Sequence, residues 1–115
     1  MIDQNRLLKK AASLSLDHVP AEALDRYAQL LVEYNQKVNL TAITDPEGIE
    51  DKHFIDSLLF AAQPEVAGKV VDVGTGAGFP GVVAKLYKPE LDLTLMEPTG
   101  KRVEFLRYVC GERCV

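Results

Sequence analysis

Lys69-Val70-Val71-Asp72-Val73-Gly74-Thr75-Gly76-Ala77-Gly78-Phe79-Pro80-Gly81 passes from a short β-branched run into three glycines at alternate positions. Lys69 to Val73 has the composition of a strand buried in a parallel sheet. The glycines let the backbone turn sharply and approach a ligand closely. A helix is expected from about Pro80 to Tyr87, stopped by Pro89. Leu91 to Met96 reads as a second strand, and Thr99 to about Gly111 as a second helix. The order β-α-β-α is that of the opening half of a doubly wound α/β sheet.

Upstream of this run the chain reads as helices. Arg6 to Leu16 sets Leu7, Leu8, Ala11, Ala12 and Leu14 on a loosely apolar face. From Pro20, a favourable first helical position, Leu24, Tyr27, Ala28, Leu31, Tyr34 and Val38 follow the spacing of an amphipathic helix. Tyr27 and Tyr34 therefore read as helix-core residues rather than base-stacking platforms. Asp45-Pro46-Glu47 supplies an N-cap, a proline at the first helical position and an early acid. The helix it opens is expected to run through Ile49 and Phe54 towards Leu58 and Leu59, broken midway or not, and to end at Pro64.

The chain has 115 residues, 13 Lys+Arg against 17 Asp+Glu, and two Cys. No apolar run approaches the roughly 18 residues needed to span a bilayer. Met1 to Arg6 show no charged-then-apolar pattern, so no secretory leader is expected. Cys110 and Cys114, four positions apart, cannot staple a fold and lack the partners of a zinc site, so no metal is expected. A soluble, cytoplasmic protein is the expectation. The net charge of −4 does not advertise a nucleic-acid binder. That acidity resides entirely in residues 1–69; residues 70–115 balance, which leaves room for a local basic face.

Two ligand classes use a glycine-rich loop that leads from a strand into a helix N-terminus. Gly76 to Gly81 spells G-x-G-x-x-G, the dinucleotide fingerprint. The longer frame, D-x-G-x-G-x-G from Asp72, is the pattern of S-adenosylmethionine-dependent methyltransferases. The dinucleotide frame would require the strand to end at Thr75, two residues beyond the β-branched run, and would put Pro80 inside the fingerprint. An acid at the strand end also suits the cationic amine of a methionyl group. The longer frame is favoured, with an NAD-binding oxidoreductase domain as the alternative and a plain glycine turn behind both. Glu97 ends the second strand 23 residues after Gly74, where an acid can accept from two ribose hydroxyls.

Four segments occur in order: Asn39-Leu40-Thr41, His53-Phe54-Ile55-Asp56-Ser57-Leu58, Asp72 to Gly81, and Gly100-Lys101-Arg102-Val103-Glu104-Phe105-Leu106. Together they resemble the bacterial glucose-inhibited division protein B family, the small-subunit rRNA guanine-N7 methyltransferases. The resemblance covers nearly the whole chain. It implies S-adenosylmethionine as cofactor, 16S rRNA or the small ribosomal subunit as partner, and a Rossmann-like sheet behind a helical cap. Gly74 and Phe79 fall on cofactor-binding positions, Glu97 on the acidic position after the second strand, and Asp72, Gly76 and Gly78 complete the loop. Family members continue through further strands. The expectation is therefore a helical cap over 1–68 and, over 69–115, the first part of an incomplete sheet, either active or an inactive fragment.

The implied reaction needs no general base, because guanine N7 carries a lone pair and no proton. No catalytic residue is assigned. His53 and Asp56, i and i+3 on a helix, either meet or brace the cap against the glycine loop. Lys101 and Arg102, with Arg107 further along, are either rRNA phosphate contacts or a solvated helix face.

Overall fold

The computed structural model describes residues 1–37, 39–98 and 100–110, except for the side chain of Cys110. Val38, Thr99, Gly111 and Cys114 of the sequence reading lie outside the described residues. Helix α1 spans Gln4–Ser13, α2 Ala21–Asn35, and α3 the single turn Pro46–Gly48. A π-helical segment, Ile49–Ile55, leads into α4, Asp56–Ala61. Strand β1 (Lys69–Val73), α5 (Gly81–Tyr87), β2 (Asp92–Met96) and α6 (Gly100–Cys110) complete the order.

Local chemistry explains the boundaries. The α1 helix begins two residues before the position that periodicity suggests, because the Asp3 carboxylate caps it by accepting from the Arg6 N–H at 3.0 Å. It ends short of Leu16, where Ser15 takes a positive φ of 61°. Asp45 caps α3 as anticipated, accepting from the Gly48 N–H at 2.8 Å. The helix after it is broken midway into a π-helical stretch. Ile49 and Phe54, five positions apart, are both fully buried, and five is the repeat of a π turn rather than of an α turn.

Strands β1 and β2 pair in parallel, with Lys69 opposite Asp92 and Val73 opposite Met96. The expectation of a strand buried on both faces needs correction. Val71 and Val73 are 56% and 74% exposed, while Val70 and Asp72, on the opposite face, are half-buried. Among the described residues, no helix covers the face that carries Val71 and Val73. The β-branched composition reports strand preference on both faces but not which face is covered.

One core runs through both halves of the chain. Leu7 and Ala11 of α1, Leu24, Tyr27 and Leu31 of α2, Phe54 and Leu58 join Val82 and Val83 of α5 and Phe105 and Leu106 of α6. The helical segment and the strand-bearing segment are thus packed against each other rather than tethered. A smaller cluster of Ala61, Val66, Ala84 and Leu91 seals α4 against α5 and the start of β2.

An ion pair between the half-exposed Arg6 and the buried Glu50 locks α1 to the π-helical segment. Glu50 is fully buried; Arg6 Nε donates to its Oε1 at 2.6 Å and Nη2 to its Oε2 at 2.7 Å. The Asp3 N–H donates to the same Oε2 at 3.0 Å. The Arg6 hydrogen bonds, opposed by burial, hold the Glu50 carboxyl below the usual carboxylate range, and the Arg6 guanidinium is held more firmly protonated in return. Lys10 donates to Asp51 beside it.

Leu58→Ala is expected to cost about 2–5 kcal/mol and Val73→Thr less than about 0.5 kcal/mol, read from urea-unfolding midpoints. A carboxyl depressed in the folded state stabilises above its unfolded pKa and loses that contribution as pH falls through its folded value. Thermal stability should therefore fall from about pH 5 downward. Glu50→Gln should flatten that acid limb while lowering Tm at neutral pH.

Candidate ligand-binding site

The glycine loop sits at the carboxyl ends of the two parallel strands, where α/β sheets receive ligands. The ladder continues one step past β1: the Gly74 N–H donates to the Met96 carbonyl at 2.7 Å. Gly74, Gly76 and Gly78 all have positive φ, 67°, 60° and 106°. Their surroundings differ. Among the described residues a Cβ at Gly74 or Gly76 would meet nothing within 4 Å, so the Cα sides of these glycines face open space. A Cβ at Gly78 would lie 2.6 Å from the Tyr27 hydroxyl and 2.7 Å from Val82. Gly74 and Gly76 line an open face of the loop, whereas Gly78 is where the loop seats on the core.

Asp72 closes the loop onto α5. Its Oδ2 accepts from Thr75 Oγ1 at 2.6 Å and from the Gly81 N–H, the first residue of α5, at 2.9 Å. The strand-end acid thus caps the following helix from outside, and only Oδ1 has no hydrogen bond among the described residues. A Cβ on Gly81 would meet this same carboxylate at 2.7 Å, which is why the helix starts so near the strand. Glu97, with its side chain 3% exposed, accepts from the Gly76 N–H at 2.8 Å and lies 3.9 Å from Arg102 Nη1. It tethers the end of β2 to the loop. Thr75, buried within the loop, was not singled out from sequence; a lone hydroxyl among glycines was its signal.

Phe79 is held from the helical side. The His53 ring stacks on it with centroids 4.2 Å apart and planes within 2°; Tyr27 lies 5.4 Å and Phe54 6.2 Å away. The Tyr27 hydroxyl donates to the Ala77 carbonyl inside the loop. His53 does not meet Asp56, which is exposed; its Nε2 shares a hydrogen bond of 2.9 Å with Thr41 Oγ1. Burial lowers the His53 pKa, so the ring is neutral near pH 7. Thr41 and Tyr27 complete the support; nothing in their spacing tied either to the loop.

Asp72, Gly74, Gly76, Gly78, Phe79, Glu97 and Arg102 are therefore brought into one region. Lys101 is exposed and makes no hydrogen bond or ion pair among the described residues. Arg102 and Asn39 to Ala42 line an open cleft of about 290 Å³. A second cleft of about 220 Å³, lined by Lys52, Asp56, Ser57, Phe60, Phe79 and Pro80, adjoins the loop from the other side. Gly78→Ala combines a positive φ with a blocked Cβ and is expected to cost well over 2 kcal/mol by chemical denaturation. Gly76→Ala, in open space, should cost only the left-handed penalty of about 1–2 kcal/mol.

Comparison with known proteins bears directly on this arrangement. Residues 20–113 match the family model described as rRNA small subunit methyltransferase G. A ribosomal RNA small subunit methyltransferase G of Moorella thermoacetica is 46% identical over 112 residues, covering 93% of this chain and 47% of the relative. The protein of that name from Mycoplasma capricolum is 51% identical over 87 residues, 75% of this chain and 38% of the relative. Its counterpart from Mycoplasma mycoides is 49% identical over 87 residues, 75% and 64% respectively. The chain thus spans roughly 40–65% of these relatives' lengths. With most of its sequence matched by the family model, including the glycine loop, the chain belongs to the rRNA small subunit methyltransferase G family.

Proposed function

We propose that the loop from Asp72 to Gly81 binds S-adenosylmethionine, within a Rossmann-like sheet for which residues 69–115 supply the first part and residues 1–68 a helical cap. The observation that carries this reading is the open backbone at Gly74 and Gly76, set between two strand-end acids in a chain of this family. The loop N–H groups of Gly74, Gly76 and Gly78 are donated within the fold, so the remaining Asp72 oxygen is the group that suits the amine of a methionyl group. Glu97 would accept from the ribose hydroxyls while sharing its carboxylate with the Gly76 N–H. When bound, S-adenosylmethionine supplies a methyl group already activated on a sulfonium sulfur. The dinucleotide frame is disfavoured by the end of β1 at Val73, two residues short of the position it needs.

The proposed acceptor is N7 of a guanine in 16S rRNA, presented by the small ribosomal subunit in the cytoplasm. Since N7 carries no proton, no residue here has to act as a base. The chain's own residues supply alignment and electrostatic surroundings. Arg102, beside the Asn39–Ala42 cleft, and the exposed Lys101 are proposed as phosphate contacts, which would reconcile RNA binding with an acidic total. No described helix is long and apolar enough to cross a membrane.

A ligand at a hundred times its Kd adds about 2.7 kcal/mol to stability, so saturating S-adenosylmethionine should raise Tm by several degrees. NAD at the same concentration should not. An unchanged Tm at millimolar S-adenosylmethionine would sink the cofactor assignment. Transfer of labelled methyl groups to 30S subunits, assayed with this chain beside a full-length relative, separates an active enzyme from an inactive fragment.

A further inference from the structure

We infer that His53 is a positioning residue for the glycine loop: clasped by Thr41 and stacked flat on Phe79, it sets the conformation in which the loop receives its ligand. Phe79 lies between Gly78, seated against Tyr27, and Pro80, the cap of α5. Its ring is therefore the handle by which the helical segment controls the Gly74–Gly78 backbone. Of the three aromatic rings near it, Tyr27 and Phe54 are tilted by 31° and 54°, and only His53 lies parallel to it. A parallel ring at 4.2 Å restricts rotation and translation of Phe79 in a way that edge contacts do not.

Histidine, rather than a third benzene ring, suits this place because its outer edge needs a polar anchor. Thr41 provides one at 2.9 Å, and Thr41 is itself fixed: its Oγ1 accepts from the Ile43 N–H at 3.1 Å. The adjoining chain is pinned by Asn35, whose Oδ1 accepts from the Leu40 and Thr41 N–H groups at 2.8 and 3.0 Å. The C-terminal end of α2 thus fixes Thr41, Thr41 fixes the imidazole, and the imidazole fixes Phe79. Thr41 also lines the cleft that contains Arg102, so the relay joins that cleft to the loop. His53 touches neither a reacting atom nor a cofactor in this account; it acts through Phe79.

The affinity readout of this inference rests on the S-adenosylmethionine proposal, whereas its structural readout does not. In the full 115-residue chain free of ligand, NMR should show Phe79 ring protons shifted upfield by the facing imidazole. His53→Ala should abolish that shift and move or broaden the Gly76 and Gly78 amide signals. His53→Phe, which keeps the stack but loses the Thr41 anchor, should restore them only in part, and His53→Gln, which keeps only a polar edge, should not restore them. Leu7→Ala, a core truncation on α1, serves as the control: it should lower Tm at least as much and leave the loop signals in place. With S-adenosylmethionine as the titrant, His53→Ala should weaken binding about three- to tenfold, and His53→Phe, which keeps the stack without the anchor, by a smaller factor. Unshifted Phe79 ring protons in the wild-type chain would overturn the inference. So would loop amides that respond to Leu7→Ala as they do to the His53 variants. A wild-type chain that binds no S-adenosylmethionine yet shows the NMR pattern would leave the positioning role standing and refute the cofactor assignment alone.

Discussion

Tyr27 occupies the volume that a side chain at position 78 would need. Its ring lies within 6.4 Å of Phe54, Phe79 and Phe105, and its hydroxyl donates to the Ala77 carbonyl. One residue of the helical segment therefore packs the core, satisfies a buried loop carbonyl and restricts position 78 to glycine. The loop's geometry is fixed from below by Tyr27, from the strand by Asp72 and from β2 by Glu97. Among the described residues, nothing lies within 4 Å of where a Cβ at Gly74 or Gly76 would stand, so that face of the loop is open. Among the described residues the sheet has two parallel strands, a slight scaffold by itself, and the helices pack against one face of it.

Electrostatics follow the same division of labour. The helical segment carries the whole net negative charge, but part of it is internal. Glu50 is buried and paired with the half-exposed Arg6, and Asp25 accepts from the Met1 ammonium, from Gln4 and from the Ile2 N–H. Burial works against the Asp25 charge, yet those hydrogen bonds outweigh it and keep the carboxyl below its ordinary range. Acids used this way hold α1 in place and do not present a repulsive surface to a polyanion. The net charge of −4 is therefore a poor guide to the field around the loop.

Much of the fold was legible from local rules. The α2 periodicity, the Asp45 cap and the strand–glycine–helix run each depend on neighbours in sequence, and the structure bears them out. The π-helical break was less legible, since it rests on a five-residue spacing between two apolar residues that an α-helical reading passes over. Val71 and Val73 misled because β-branching signals a strand without saying what packs on it. Asp72 and Glu97 were found by position, but the loop bonds they make to Gly81, Thr75 and Gly76 depend on distances that spacing does not encode. His53 was noticed, yet its partners, Thr41 and Phe79, are 12 and 26 residues away in opposite directions along the chain.

The sequence alone marked where the backbone turns back on itself, since glycine takes the positive φ at Gly74, Gly76 and Gly78 at the least cost. It also determined which family's loop this is. Only the tertiary structure decided which of those glycines faces open space and which is pressed against Tyr27. It likewise decided which acids are committed to the scaffold. Those outcomes depend on the closing distances between segments far apart in the chain, and close packing leaves room there for a hydrogen atom but not a methyl group.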